Sequence, residues 1–518
     1  MPVENPKYKR TAPPIPREAP AWAQDARWYA FDLDDFASPP SAGRSTSSMD
    51  RQTPDRSPTA WEAIRRTFPY LKALGINVLY LQNVFHRTRD SSDRDTDFRH
   101  VRTDLGPSRG TSDLEGESFD PRTWTWSTAD RAFLRFVKTA HKTGFRVVVQ
   151  ADFHRSDQMV SRGALFNHLA AAARRWIRPG GEGERTRGVD GFVSHDPRVL
   201  SADFWRLLRR SAKQLEPDTL LIGVPARASD AGLWREGDTF DAVWQQRLTE
   251  SLLRFFGDGP ALYPPEAFLS DLESMVGRHR LDQELAGPIA LLGPDGGPFL
   301  IALERRFRQA TTELYKLDKP KTRRGDIRMW RRLAVILQYT LPGAPVIVAG
   351  HELGSDGLDR LRTIARRKPS GEHENAPLQQ DEDLPSLIQW LGYRRDHHAP
   401  LRSGAFRPVL ADGKREILAF ARELPGERVI VVLNLNGKRQ QVIIPAGKPG
   451  TMVGILTPQL HPVRTKQGVQ PPFFPNRKGP IAPLRVTGTR QFLDTGGHAT
   501  FWIEPVNVAL VVVQEKAP

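Results

Sequence analysis

Short apolar runs alternate with amphipathic stretches along the first 350 positions of the chain. "INVLYLQ" (76–82), "FRVVVQA" (145–151), "VDGFVS" (189–194), "TLLIGV" (219–224), "FDAVWQ" (240–245), "PFLIAL" (298–303) and "APVIVAG" (344–350) each read as a strand buried on both faces. The segments between them have helical spacing. "TAWEAIRRTFPYLKALG" puts Ile64, Phe68, Leu71 and Leu74 on one stripe and stops at Gly75, and "TADRAFLRFVKTAHKTG" repeats the design with Phe133, Phe136, Val137 and Ala140. With "RWYAF" as the first strand, eight strand candidates alternate with helices, which predicts a (β/α)8 barrel.

Past "LIQWLGYRRDHHAPLR" the period changes from 3.6 to 2. "REILAFARE", "RVIVVLNLN", "QQVIIPA" and "VNVALVVVQ" are separated by turn residues with no helix between them, which predicts an antiparallel β-sandwich. The expected organisation is a Pro-rich arm over 1–24, a barrel over 25–398 with an irregular insertion at 86–120, and the sandwich over 399–518.

Composition narrows the class. The 39% hydrophobic and 26% charged content is that of a soluble globular protein. No apolar run approaches the roughly 20 residues of a membrane span, and the first residues lack the apolar core of a secretory signal, so a cytoplasmic location is expected. Cysteine is absent, which excludes disulfides, thiolate metal sites and cysteine nucleophiles. Of the net charge of +15, +9 falls in residues 401–518, where 16 Lys and Arg face 7 Asp and Glu. These cations are scattered among strands with no interleaved aromatics, so they read as a solvated surface, and a nucleic-acid partner is not expected.

The segments "RWYAFDLDDFASP", "YLKALGINVLYLQNVF", "SFDPRTWTWSTADRAFLRFVKTAHKTGFRVVVQADFHR", "GVDGFVSHDPRVLSADFWRLLRRSAKQLEPDTLLIGVPA" and "VILQYTLPGAPVIVAGHELG", in this order and spacing, resemble glycoside hydrolase family 13. This is the α-amylase family, and its neopullulanase-like or maltogenic branch is nearest. The resemblance implies a retaining mechanism with one carboxylate nucleophile and one carboxylic acid/base. The residues at those positions differ. In "GVDGFVSH" the family's arginine falls on Val193 and its nucleophile on His195, and the acid/base falls on Val224 in "LLIGVPA". The aspartate of the third strand becomes Gln150 and the asparagine beyond it His154, while a gapless reading of "FLIALERR" leaves Glu304 as the third carboxylate.

No catalytic residue is therefore assigned, and a pseudoenzyme that binds an α-glucan, an oligosaccharide or a protein partner is the first expectation. His154, His195, Asp196, Glu304, Trp124 and Trp126 are the candidate substrate-binding residues. Asp196 is also the one carboxylate beside the lost nucleophile, although a slip of one residue along a strand turns a side chain to the opposite face. The alternative is an active α-glucan hydrolase or transglycosylase with an unusual site, and a third reading is a polyanion-binding protein. No cofactor or metal is expected. The resemblance leaves room for a structural calcium, which no ligand spacing in the sequence supports.

Overall fold

The computed structural model describes residues 18–36, 59–87, 96–106, 116–154, 162–181, 186–227, 234, 238–276, 281–292, 299–316, 327–354, 357–366, 384–460, 463–465, 468–470 and 481–514. Strands β1 (Trp28–Asp32) and β2 (Val78–Gln82) open the barrel. An antiparallel hairpin, β3 (Phe85–Arg87) and β4 (Thr96–Val101), then leaves it. The wall continues with β5 (Arg146–Gln150), β6 (Gly191–His195), β7 (Leu220–Val224), β8 (Ala242–Val243), β9 (Pro288–Ala290) and β10 (Ala344–Val348). These eight strands lie parallel in the order β8-β7-β6-β5-β2-β1-β10-β9. The seam between β8 and β9 is bridged by the Gln245 N–H donating to the Pro288 carbonyl at 2.9 Å. A Cβ at Gly287 would lie 2.9 Å from the Val243 carbonyl oxygen, so only glycine lets the two strands approach this closely.

Alternation along each strand sorts the side chains into two cores. Trp28, Ala30, Val78, Tyr80, Val148, Val193, Leu220, Ile222, Val224, Ala242, Ala290, Ala344 and Val346 fill the barrel interior. Their neighbours Tyr29, Phe31, Leu79, Leu81, Val147, Val149, Phe192, Leu221, Ile289 and Ile347 face outward against the helices. Each large side chain fully removed from water contributes about 1.5–3 kcal/mol. Helix Thr128–Lys142 starts at a capping box of Ser127 and Asp130 and buries the predicted stripe of Phe133, Phe136, Val137 and Ala140.

The C-terminal strands β11 (Ala405–Asp412), β12 (Ile417–Leu424), β13 (Glu427–Asn434), β14 (Gln440–Pro445), β15 (Met452–Pro458), β16 (Val463–Thr465), β17 (Gly468–Gln470), β18 (Val486–Phe492), β19 (His498–Ile503) and β20 (Asn507–Gln514) are antiparallel. The main sheet runs β11-β12-β13-β20-β15-β18, and β14 pairs with β19 in a second layer. Leu418, Phe420, Val429, Val431 and Leu433 join the core shared with the barrel helices, while Ile417, Ala419, Ala421, Ile430 and Val432 pack between the layers with Val442, Ile444 and Ile503. Period 2 thus gives this sheet two buried faces. The Arg422 guanidinium ties it to the barrel through the carbonyls of Thr340 at 2.7 Å and Gly404 at 2.8 Å.

Three expectations are corrected. The run 298–303 is not the seventh strand: it opens helix Phe299–Lys316, and the strand is the shorter β9 upstream. The excursion after β2 is not wholly irregular, since it carries the β3–β4 hairpin. Within the expected N-terminal arm, Ala19, Ala23 and Trp22 pack into the barrel interior around the short helix Ala21–Ala23. Residues 1–17 of that arm lie outside the described residues. Among the described residues no helix is long and apolar enough to cross a membrane.

Candidate functional site

The inward register of the barrel strands decides what meets the open C-terminal end. Trp28, Ala30 and Asp32 share one face of β1, Val78, Tyr80 and Gln82 one face of β2, and Val193 and His195 one face of β6, so the last inward position of each of these strands is polar. On β7 the last inward position is Val224, and beyond β8 it is Trp244. These ends and the loops after them enclose a cleft of about 870 Å³, lined also by Asp35, Arg227, Gln246, Glu250, Leu292 and His351. A chamber of about 310 Å³ adjoins it between β1 and β10, sharing Asp32, Asp35 and His351 and adding Arg331 and Glu352.

His195 lies where β6 opens into the cleft. Its Nδ1 lies 2.9 Å from Asp152 Oδ1 and 3.3 Å from Gln150 Nε2, the same Asp152 oxygen accepts the His195 backbone N–H at 2.6 Å, and Gln150 Nε2 donates to Asp152 Oδ2. Burial alone would raise the Asp152 carboxyl, but the hydrogen bonds and charge of His195, together with Gln150, outweigh it and hold the group below the usual carboxylate range.

Across the barrel, burial and then the neighbouring Asp32 raise the Asp35 carboxyl, opposed by Arg362. Asp32 itself accepts from Asn83 Nδ2 at 2.8 Å and from the Asp34 N–H at 3.0 Å. Burial, aided by the Arg331 guanidinium, pushes His351 down to about 4, so its imidazole is neutral near pH 7. The Glu352 carboxyl is fully buried and raised by that burial. One of its oxygens accepts from Tyr29 at 2.8 Å and from Tyr70 at 3.0 Å.

The residues singled out in the sequence separate here. His195 and Val224 both line the cleft, on neighbouring strands in register. Glu304 does not: it sits half exposed on helix Phe299–Lys316, where its nearest described cation is Arg308 at 3.9 Å. Asp196 takes a left-handed conformation at φ 38°, and its carboxylate pairs with Arg198 at 3.1 Å. His154 donates from Nδ1 to the Asp152 carbonyl at 2.9 Å and packs edge-on against Phe98. Trp124 and Trp126 pack against the core under the Arg175 guanidinium, which lies 3.6 Å from the Trp126 ring centre. None of these last four residues lines the cleft. The sequence reading missed Asp152, Asp32, Asp35 and Glu250. For Asp32 and Asp152 a signal existed, because each continues the i, i+2 alternation of the inward face.

Among the described residues no group of three or more His, Asp or Glu side chains is placed to hold a metal ion.

No family model matches the chain. Among curated proteins it is 25% identical over 456 residues to a cyclomaltodextrinase of a Bacillus species, covering 80% of this chain and 74% of that one. It is also 25% identical over 513 residues to neopullulanase 2 of Thermoactinomyces vulgaris, covering 87% and 76%. Among solved structures, the debranching enzyme of Nostoc punctiforme superposes with a TM-score of 0.60 at 16% identity over 96% of this chain and 100% of that one. A cyclomaltodextrinase superposes with a TM-score of 0.58 at 20% identity over 95% and 79%.

Proposed function

We propose, for a chain that belongs to the α-amylase family, glycoside hydrolase family 13, that the cleft at the C-terminal end of its barrel takes an α-glucan or oligosaccharide. One observation carries this reading: the cleft at the barrel mouth is lined by Asp32, Gln82, Arg227, Gln246 and Glu250 above a buried apolar floor that includes Tyr80 and Trp244. Convergent polar groups over an apolar floor are what fix the hydroxyls of a bound sugar. The family's double displacement lacks its parts here, since His195 offers no carboxylate and Val224 no proton.

One reading is a binding protein that holds the glucan, or a protein partner, without cleaving it. The other is a hydrolase or transglycosylase that works with relocated groups. The second is favoured by Asp32, Asp35 and Glu250, which face the same cleft, and by the relatives, which are enzymes by name. Calorimetric titration with maltoheptaose, run beside an assay of reducing-sugar release, separates them. Binding with release supports the hydrolase, binding without release supports the binding protein, and absence of binding overturns both. Under the binding-protein reading His195→Asp alone gains no turnover, because Val224 still leaves the departing oxygen unprotonated.

A further inference from the structure

The chamber between β1 and β10 differs in kind from the cleft it adjoins. Its wall is apolar, built by Phe299, Val335, Leu358 and Ile388, each from a different helix, and by Ile347 from β10. Ile301 lines it while 51% exposed, so the apolar wall continues to the protein surface. Close-packed interiors leave few voids larger than a water, and a space of about 310 Å³ falls instead within the range of ligand pockets, roughly 300–1,000 Å³. Two buried polar atoms of its lining residues are unanswered. Glu352 Oε2 and Gln338 Oε1 have no hydrogen-bond partner among the described residues, although Glu352 Oε1 accepts from Tyr29 and Tyr70 and Gln338 Nε2 donates to the carbonyls of Ile289 and Val346. Side chains held this firmly, each with one polar atom to spare, are prepared for a ligand or for the water it traps.

Asp32, Asp35 and His351 line both spaces and mark where cleft and chamber meet. A molecule that spans this boundary presents sugar hydroxyls on one side and hydrocarbon on the other. We propose that the chamber receives the apolar aglycone of an α-glycoside whose sugar lies in the cleft, so that the ligand is an oligosaccharide carrying an alkyl or aryl group. This rests on the reading of the cleft as a glucan site, and it holds whether the sugar is cleaved or only held. A neutral tail suits the chamber better than a charged one. An anionic tail meets the carboxyl groups of Asp32 and Asp35 at the boundary, and the Arg331 guanidinium that might attract it donates to the His351 carbonyl. A cationic tail loses its hydration against a wall of aliphatic side chains. A hydroxyl on the aglycone, or a water trapped beside it, answers Glu352 Oε2 and Gln338 Oε1.

The test is calorimetric titration of the full chain with methyl, butyl and octyl α-maltoside, each below its micelle concentration, beside maltoheptaose. Each methylene withdrawn from water strengthens binding by up to about fourfold, so octyl α-maltoside is expected to bind at least about tenfold more tightly than methyl α-maltoside, with the butyl compound between them. Val335→Phe, which fills the chamber, is expected to bring octyl α-maltoside back to the affinity of the methyl compound. Ile301→Asp, at an exposed position on the chamber wall, is expected to remove at least about threefold of the octyl gain. Methyl α-maltoside, too short to reach the chamber, is expected to bind both variants as it binds the unaltered protein. An octyl gain that neither variant reduces overturns the proposal, because the chain then lies elsewhere. Maltoheptaose and all three maltosides bound with equal affinity for the maltosides leaves the glucan site standing and removes the aglycone chamber. Maltoheptaose not bound at all removes the glucan reading, and the proposal with it.

Discussion

The two ends of the barrel treat their carboxylates in opposite ways. At the N-terminal end Asp190 is fully buried and met by Arg146 at 2.9 Å, His141 at 2.7 Å, Arg187 at 3.1 Å and the Val147 N–H at 2.8 Å. Two strands further on, before β8, Asp241 is met by Arg209 at 2.9 Å, Lys213 at 3.0 Å and the Leu221 N–H at 2.9 Å. At the C-terminal end Asp32, Asp35 and Glu250 face an open cleft, and Asp152 shares its charge with a half-exposed imidazole. A buried carboxylate surrounded by cations and backbone N–H groups fixes strand ends and is committed to the fold. One that faces a cavity keeps free acceptor capacity for a ligand. Position along the strand therefore separates acids committed to the fold from acids open to a cavity more sharply than residue type does.

The largest expected effect tests the committed end. Asp190→Ala leaves two guanidiniums, an imidazole and a buried N–H without their acceptor, and should cost about 3 kcal/mol in chemical denaturation. Asp152→Ala at the open end should cost under about 1 kcal/mol, because water replaces the carboxylate. Equal losses would break the comparison. Next comes Glu352, the buried exception at the C-terminal end. Glu352→Ala strands the Tyr29 and Tyr70 hydroxyls and should cost about 1–3 kcal/mol, whereas Glu352→Gln, which keeps an acceptor, should cost less.

A third effect depends on pH. His100 is buried in the excursion after β2, with Nδ1 2.8 Å from Asp130 and Nε2 2.8 Å from Glu117, and Asp97, Arg99 and Arg175 stand around the cluster. Burial would lower the imidazole, but hydrogen bonds to Asp130 and Glu117 and the charge of Asp130 raise it, while Glu117 is held low by the Thr125 N–H and His100 against its own burial. The His100 contribution is fully present below about pH 6.5 and is lost as pH rises through the elevated value. The Glu117 contribution is present above its ordinary range and is lost as pH falls through the lowered one. Stability measured against pH in the unaltered protein and in His100→Gln should converge at alkaline pH, and a constant gap would refute the assignment. The smallest effect is expected at Asp120–Arg122, an exposed pair at 2.7 Å, where Arg122→Ala should leave Tm unchanged.

Much of this could be read from the sequence, and the failures have physical causes. Strands such as "VLYLQ" and "RVVVQ" were legible because burial on both faces leaves an unbroken apolar run. The run at 298–303 has the same appearance, yet Phe299, Ala302 and Leu303 are buried at helical spacing while Ile301 is 51% exposed. A run that short does not reveal its period. The strand that does close the barrel is three residues long, between Gly287 and Leu291, too short for any pattern. His195 and Val224 were found because they occupy fixed positions in a family pattern. Asp152 was overlooked because that pattern points to Gln150, and its significance emerges only when β5 and β6 are placed side by side.

The segment Ala19–Ala26 has a consequence for how the chain folds. It stoppers the N-terminal end of the barrel, with Trp22 Nε1 donating to the Asp218 carbonyl at 3.0 Å across 196 residues and Arg395 donating to the Gln24 carbonyl at 3.3 Å across 371 residues. The second is among the longest separations bridged among the described residues, and loop closure for both becomes favourable only once the strands they bridge are assembled. The stopper leaves the ribosome ahead of every barrel strand, and it can seat only after the barrel exists. A nascent chain released before residue 395 therefore has a bore that it cannot yet plug, with the faces of Trp28, Val78 and Ala344 open to any apolar segment that reaches them first.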